Sequence, residues 1–334
     1  MKAGAALTMR RGTYYTWVAA FVVFILALLW ALSYATGQIS YVWRWHRVPQ
    51  YFLYHETVDI RSEFQGEVTS IAASGEEAAV TVSGGGEEKV YKVPAKGVKV
   101  AKGDLVSPGD SLGSFQRWKV GILLEGVWTT LEVSLLSILL GILIGLFAGL
   151  ARISANPFFK WLSITYIEII RGSPLLVQIF IWYFVLGTLA NEILAKQGFS
   201  AIPPMWFGVA ALAFFAGAYV AEIVRAGIQS IHRGQMEAAR SLGMNYAQAM
   251  RHVILPQALR RILPPLAGQF ISLIKDSSLL GLIAIRELTK ATREVVTTSL
   301  QPFELWFMCA LLYLLLTFSL SMFVQYLERR AVLA

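Results

Sequence analysis

The stretch Glu237–Pro256 reads EAARSLGMNYAQAMRHVILP. It is polar, and it lies between two apolar runs, Trp206–Ile228 and Ile262–Ile285. Each run exceeds the roughly 20 residues that a helix needs to cross a bilayer. Glu237, Ala238 and Ala239 begin a helix, because alanine is the best helix former. Gly243 interrupts it, and Leu255-Pro256 is expected to stop a second helix. Arg233, Arg240 and Arg251 stand in or beside the segment, so one side is apolar and the other basic. A short helix–turn–helix held at a membrane surface is a docking element. It requires a soluble partner.

Composition supports the membrane setting. Of 334 residues 56% are hydrophobic and only 15% charged, where an ordinary soluble domain carries about 25%. The net charge of +8 does not signal nucleic acid, because the basic residues bunch at the ends of apolar runs, as cytoplasmic loops require. One cysteine, Cys309, lies inside an apolar run. It excludes an intrachain disulfide and a paired-cysteine metal site, and the four scattered histidines offer no ligand spacing, so no metal is expected.

Tyr14–Tyr34 is the first span. It is too long for the apolar core of a cleaved signal peptide, and Trp17, Trp30 and Tyr34 sit near its ends as interfacial anchors would. Residues 37–57 contain the aromatic and basic run YVWRWHRVPQYF, suited to a membrane interface. Residues 58–115 then alternate short Val, Ile and Thr runs with Gly-rich turns, the pattern of a small all-β domain. Its KGDLVSPGDSLG resembles the turn-rich half of a lipoyl- or biotinyl-type barrel, but Lys96, Lys99 and Lys102 lack the sequence context of a modified lysine.

Five further spans are expected at Leu123–Leu150, Trp161–Ala190, Trp206–Ile228, Ile262–Ile285 and Phe303–Tyr326. The fold class is therefore an all-α membrane protein of six helices with a small β-domain inserted between the first and second. Residues 1–36 form the amino terminus and first helix, and residues 118–330 the membrane core with a cytoplasmic loop at 229–261. Lys2, Arg10, Arg11, Arg152, Lys160, the basic residues of that loop, Arg329 and Arg330 place both termini in the cytoplasm and the β-domain outside it. Arg286–Pro302 fits less well, with Arg286, Lys290 and Arg293 against Glu287 and Glu294.

Charged groups at membrane depth are costly and face a protein interior or a water path. Glu168, Arg171 and Gln178 fall in the second core span, and Arg171-Gly172-Ser173-Pro174 loosens its middle. Glu168 and Arg171 share a helical face and could neutralise each other. Lys275, Asp276, Ser277 and Ser278 lie in the fourth core span, with Glu168 and Arg171 as the expected partners of the lysine and aspartate. Tyr219, Glu222 and Arg225 share a face at the end of the third core span and read as an intrahelical ion pair. Gly141, Gly145 and Gly149 form a stripe along which helix backbones approach closely, within the subunit or at a dimer face.

The pattern EAA, three residues, Gly, nine residues, Val253, one residue, Leu255-Pro256 resembles that of permease subunits of ABC importers, which more often carry Ile at the Val253 position. With AYVAEIVRAGIQSI at Ala218–Ile231, RGSPLLVQ at Arg171–Gln178 and LIKDSSL at Leu273–Leu279, the chain resembles the type I branch that takes up polar amino acids, the histidine, glutamine and glutamate group. The resemblance covers Trp118 to Arg330. It implies that Glu237, Ala238, Ala239, Gly243, Val253, Leu255 and Pro256 couple the chain to a separate cytoplasmic ATPase carrying ATP and Mg. It implies also a second permease subunit, a periplasmic amino-acid binding protein and a bacterial inner-membrane location. Glu168, Arg171, Gly172, Ser173, Pro174, Gln178 and Lys275–Ser278 become the candidate substrate path, since an α-amino acid presents both signs of charge. The sequence contains no G-x-x-x-x-G-K-[ST] loop and no nucleophile–base or metalloprotease set, so no cofactor and no enzymatic activity are expected in this chain. The alternative is a membrane-anchored interaction protein that works through its β-domain.

Overall fold

The computed structural model describes residues 11–333. Lys2 and Arg10, and the side chains of Arg11, Arg329 and Arg330, lie outside what is described. The chain divides between Trp45 and His46 into two compact units.

The first unit is built on α1 (Arg11–Gln38). Phe21, Phe24, Leu28 and Trp30 are exposed on different sides of it, and a helix hydrophobic all round is one that lipid solvates. The chain turns back at Ser40, with the Tyr41 amide donating to the Thr36 carbonyl at 3.0 Å and Trp43 Nε1 donating to Thr36 Oγ1 at 3.3 Å. Trp43 and Trp45 stack at 5.7 Å.

The second unit opens with six strands, β1 (Leu53–Arg61), β2 (Gly66–Ser74), β3 (Glu77–Gly84), β4 (Glu87–Pro94), β5 (Leu105–Val106) and β6 (Ser111–Val120). One sheet has the order β4-β3-β2-β5 and the other is the ribbon β1-β6. Val68, Val80, Val82, Tyr91, Val93, Val106 and Leu112 form its core, and the alternation along β3 and β4 follows from the two-residue period of a strand. The ladder runs from Leu53↔Val120 to Arg61↔Ser111, so β structure extends past residues 58–115 at both ends. The ribbon has two faces. Leu53, His55, Trp118 and Val120 share one, with the His55 and Trp118 rings 3.8 Å apart. Glu56, Arg117 and Lys119 share the other, where hydrogen bonds from Lys119 and then Arg117 hold the Glu56 carboxyl below the usual carboxylate range.

The ribbon roots directly in the helical region. Gly121 donates its amide to the Phe52 carbonyl at 2.6 Å, and a Cβ at Gly121 would overlap the Tyr51 carbonyl. Tyr51 and Phe52 then pack against Leu123, Leu288, Val295 and Leu305. The β region is thus fixed to one end of the helix that follows.

That helix is α2 (Ile122–Arg152), packed along α6 (Pro204–Gln229). The glycine stripe makes this contact. A Cβ at Gly141 would lie 3.0 Å from Ala216 Cβ, one at Gly145 2.7 Å from the Gly217 carbonyl oxygen, and one at Gly149 2.8 Å from the Ala221 carbonyl oxygen. The stripe serves packing within the subunit.

Two expected spans take a different form. The second, Trp161–Ala190, is broken into α3 (Pro157–Gly172) and a helix that runs as α4 (Leu175–Phe180), a π-helical turn Ile181–Gly187 and α5 (Thr188–Lys196). Ser173 is extended (φ −117°, ψ 147°) because the ring of Pro174 disfavours helical geometry in the residue before it. The apolar stretch long enough to span is Leu175–Lys196, which leaves Glu168 and Arg171 on a separate helix. The fourth, Ile262–Ile285, starts earlier and ends differently. The helix α9 (Leu255–Asp276) gives way to a 3₁₀ segment Ser277–Ile283 and a left-handed Ala284 (φ 65°). Then follow α10 (Leu288–Ser299) and α11 (Pro302–Leu333). Six helices among the described residues are long and apolar enough to cross a membrane.

Candidate functional site

The 229–261 loop is two short helices on a buried base. His232 caps α7 (Arg233–Ser241), its Nδ1 accepting from the Gly234 amide at 3.1 Å. Gly243 takes φ +83°, a left-handed conformation that favours glycine. The next helix, α8 (Tyr246–Ala249), begins with a capping box in which Asn245 and Gln248 each accept from the other's amide at 2.9 Å. Leu255-Pro256 does not stop it. A π-helical turn, Met250–Ile254, carries the chain straight into α9, whose first turn tolerates a residue without an N–H.

Ala239, Ala249 and Ile254 are buried, and Ile254 packs with Ile228, Ile231, Ala258 and Ile262. Val253 and Leu255 pack against the same cluster. Glu237, Ala238, Gly243 and Pro256 face outward. Leu242 and Tyr246 flank the glycine turn and are 80% and 57% exposed. Neither residue belongs to the EAA, Gly and Leu-Pro spacing of the loop. The signal was a large apolar residue placed beside the turn of an otherwise polar loop. An exposed tyrosine such as Tyr246 is the kind of side chain that interfaces use as an anchor, and exposed Leu242 extends the apolar surface beside it.

The loop's two stems are α6 and α9. The other end of α2 carries the β region, about 45 Å away for a helix of 31 residues. Loop and β region therefore occupy opposite ends of the helical bundle.

The charged residues assemble differently from expectation. Glu168 and Arg171 do not pair with each other. Arg152 Nη2 reaches Glu168 at 3.6 Å, and Arg171 Nη1 lies 3.9 Å from Glu222 with its guanidinium 5.3 Å above the Tyr219 ring. Arg225 and Glu222 do form the intrahelical pair, at 2.8 Å. A cavity of about 540 Å³ opens beside them, lined by Arg171, Tyr219, Glu222, Arg225, Arg261 and Pro265 among others. Gly172 stands exposed at the break, while Ser173 and Gln178 stitch it together. Ser173 Oγ donates to the Ile169 carbonyl at 2.8 Å, and Gln178 Nε2 donates to the Ile170 carbonyl at 2.7 Å and to Ser173 Oγ at 2.9 Å.

Lys275 and Asp276 meet neither Glu168 nor Arg171, and among the described residues neither forms an ion pair. They end α9, at the end of the bundle away from the loop. Ser277 Oγ is tied to the Ile274 carbonyl at 2.7 Å. Lys275 and Ser278 line a separate cavity of about 320 Å³ with Thr289, Trp306, Cys309 and Tyr313. Behind it Glu287 caps α10, accepting from the Thr289 and Lys290 amides at 2.7 and 2.8 Å, and burial pushes its carboxyl up. No group of metal-ligating side chains occurs among the described residues.

Six membrane-compatible helices among the described residues, with a polar two-helix loop between two of them, define a multi-pass membrane protein. Residues 141–332 match the family of binding-protein-dependent transport system inner membrane components, and the chain belongs to that family. It is 41% identical over 207 residues to the "Probable glutamine ABC transporter permease protein GlnM" of Bacillus subtilis, covering 62% of this chain and 92% of the relative. Identity to the glutamine transport system permease protein GlnP of Escherichia coli K12 is 39% over 211 residues, 63% of this chain and 93% of the relative. Among solved structures, that of an amino acid ABC transporter with histidines matches at a TM-score of 0.56 and 40% identity, over 63% of this chain and 94% of that one. About a third of the chain has no counterpart in these relatives.

Proposed function

We propose that this chain is the permease subunit of an ATP-driven importer that moves a polar amino acid, of the size and polarity of glutamine, into the cytoplasm by alternating access. The observation that carries this reading is the loop of residues 229–261, an exposed turn on a buried base that continues into two membrane helices. Such a turn can transmit a push only from a partner that changes shape. A cytoplasmic ABC ATPase, closing on ATP and Mg, is that partner. A second permease subunit completes the pathway, lipid surrounds it, and a binding protein delivers substrate on the other side. Both termini then lie in the cytoplasm of a bacterium and the β region in the periplasm. ATP drives the change by favouring one conformer, and several kcal/mol suffice to invert a two-state population.

The relatives' names support an amino acid as cargo, and the exposed Arg171 guanidinium at the cavity supports one that presents a carboxylate. The candidate path runs past Glu168, Arg171 and Gly172–Pro174, and at the far end past Lys275–Ser278. Gln178 contributes by holding the break that positions Arg171. Arg171→Gln should raise the KM of uptake about tenfold with little change in maximal ATPase rate. An unchanged KM removes Arg171 from the path.

Gentle affinity purification from native membranes tests the whole reading. The full chain should bring down an ATPase and an amino-acid binding protein, whose bound ligand names the cargo. A chain in which Ser62–Asp110 is replaced by a two-residue Asn-Gly hairpin turn keeps the β1–β6 ribbon. It should retain the ATPase and lose the binding protein, since the β region stands at the delivery end. Recovery of neither partner, beside a control importer kept whole, overturns the assignment.

A further inference from the structure

Glu222 sits where three helices meet, and one carboxylate there faces three guanidinium groups. It is 16% exposed. Its Oε1 lies 2.7 Å from Nη1 of Arg152, the last residue of α2. Its Oε2 accepts from Arg225 Nη2 at 2.8 Å and Nε at 3.1 Å, and Arg171, one residue before the end of α3, approaches to 3.9 Å. Glu168 is the other carboxylate in reach, is 65% exposed, and touches only Arg152 among these.

The contacts do not stop at Glu222. Arg225 Nη1 donates to Gln229 Oε1 at 2.6 Å. The next residue, Ser230, receives Arg261 Nη1 at its carbonyl (2.6 Å) and its Oγ (3.0 Å). Arg261 is on α9, so this last link bridges the two stems of the 229–261 loop just above their shared apolar base. Gln257 Nε2 to Gln235 Oε1, at 3.2 Å, braces the α9 stem to α7. Glu222 therefore joins the ends of α2 and α3 to α6, and Arg261 joins the end of α6 to α9 at the root of the loop.

We propose that Glu222 is the positioning residue that makes loop movement productive. It ties the ends of α2 and α3 to the stems of the loop, so that a push on the loop displaces the helices bearing Arg152 and Arg171. The physical reason is charge balance. With the carboxylate present the cluster is held together. Without it the mostly covered Arg152 guanidinium (19% exposed) keeps only the 3.6 Å approach of Glu168, the half-covered Arg225 and the exposed Arg171 face it as like charges, and the helix ends that carry them separate. The cavity beside the cluster gives them room to do so. The loop would still dock and still move, with its motion lost in slack.

This inference rests on the permease reading, and its test keeps the two apart. In proteoliposomes holding the purified importer complex, the quantity to measure is ATP hydrolysed per amino acid imported. Glu222→Gln should leave the ATPase bound at the wild-type ratio and hydrolysing, and raise that quantity about tenfold, the equivalent of about 1.4 kcal/mol. Arg152→Gln should move it the same way, the pair Arg152→Gln with Glu222→Gln should be no worse than Glu222→Gln alone, and Glu222→Asp should restore part of the loss. An unchanged ratio, or additive single effects, overturns the proposal. So does uptake that falls only in step with the amount of assembled complex. Should Glu222→Gln fail to assemble, Arg261→Gln, on the exposed side of α9, breaks the last link and decides by the same ratio. If the wild-type complex imports nothing with ATP, it is the permease reading that fails.

Discussion

Exchanging Glu237 for Arg should abolish ATPase-coupled uptake while the chain still reaches the membrane in normal amount. Glu237 is the one acidic residue of the 229–261 loop, beside Arg233, Arg240 and Arg251. It is exposed on α7 and forms no ion pair among the described residues, so its side chain does little for the fold. The hydrogen bond that Ser241 Oγ makes nearby goes to the Glu237 backbone carbonyl and survives the exchange. What changes is the face shown to a partner. On the permease reading an ATPase groove would meet this single carboxylate with a donor or a cation, and a like-charge contact there costs several kcal/mol. At about 1.4 kcal/mol per factor of ten, association falls by roughly a hundredfold or more. Co-purification of the ATPase and ATP-dependent uptake in vesicles measure the effect. Normal binding and uptake by this variant would remove Glu237 from the interface.

Replacing Gly145 by Leu should lower the amount and the thermal stability of folded protein strongly. The expected loss is in detergent-extracted yield and in the temperature at which a monodisperse complex survives. Even a Cβ at this position would stand 2.7 Å from the Gly217 carbonyl oxygen and against Val220. Overpacking a close contact costs typically 1–3 kcal/mol, and here a whole isobutyl group enters where no Cβ fits. Against a total stability of about 5–15 kcal/mol, that is a large fraction. Val220→Ala in the same chain should recover part of the loss, because Val220 is one of the groups the leucine meets. Unimpaired thermal stability of the Gly145→Leu chain would mean that α2 and α6 stand further apart than the glycine stripe implies.

Membrane character was legible in the sequence wherever a single run of residues carries it. About twenty predominantly apolar residues admit few readings, so six spans could be counted before any contact was known. The β segment announced itself through the two-residue period and the Gly-rich turns, although its ends did not. Strand residues 53–57 and 116–120 are recognisable only once paired, because their alternation is short and includes His55, Glu56, Arg117 and Lys119. Pro174 was readable as an interruption. That it separates α3 from the spanning segment was not, since the apolar composition is similar on both sides.

Ion pairing was the least legible feature. Glu168 and Arg171 stand three apart, and local geometry allows them to pair, yet Arg152 and Glu222 lie more than fifty residues from Arg171 or next to a helix end that no period reveals. Lys275 and Asp276 were assigned partners that the length of α9 keeps at the other end of the bundle.

The sequence by itself determined the lipid-solvated helices, the inserted β unit and a polar helical loop with a glycine at its turn, because each depends on composition, period or backbone freedom within about twenty residues. Only the tertiary structure decided that Leu242 and Tyr246 form the tip of that segment, that the glycine stripe seals α2 to α6, and that one carboxylate holds three arginines. Those outcomes depend on which side chains share a few ångströms of space once helices distant in the chain are packed, and Coulomb and packing energies act on that distance alone.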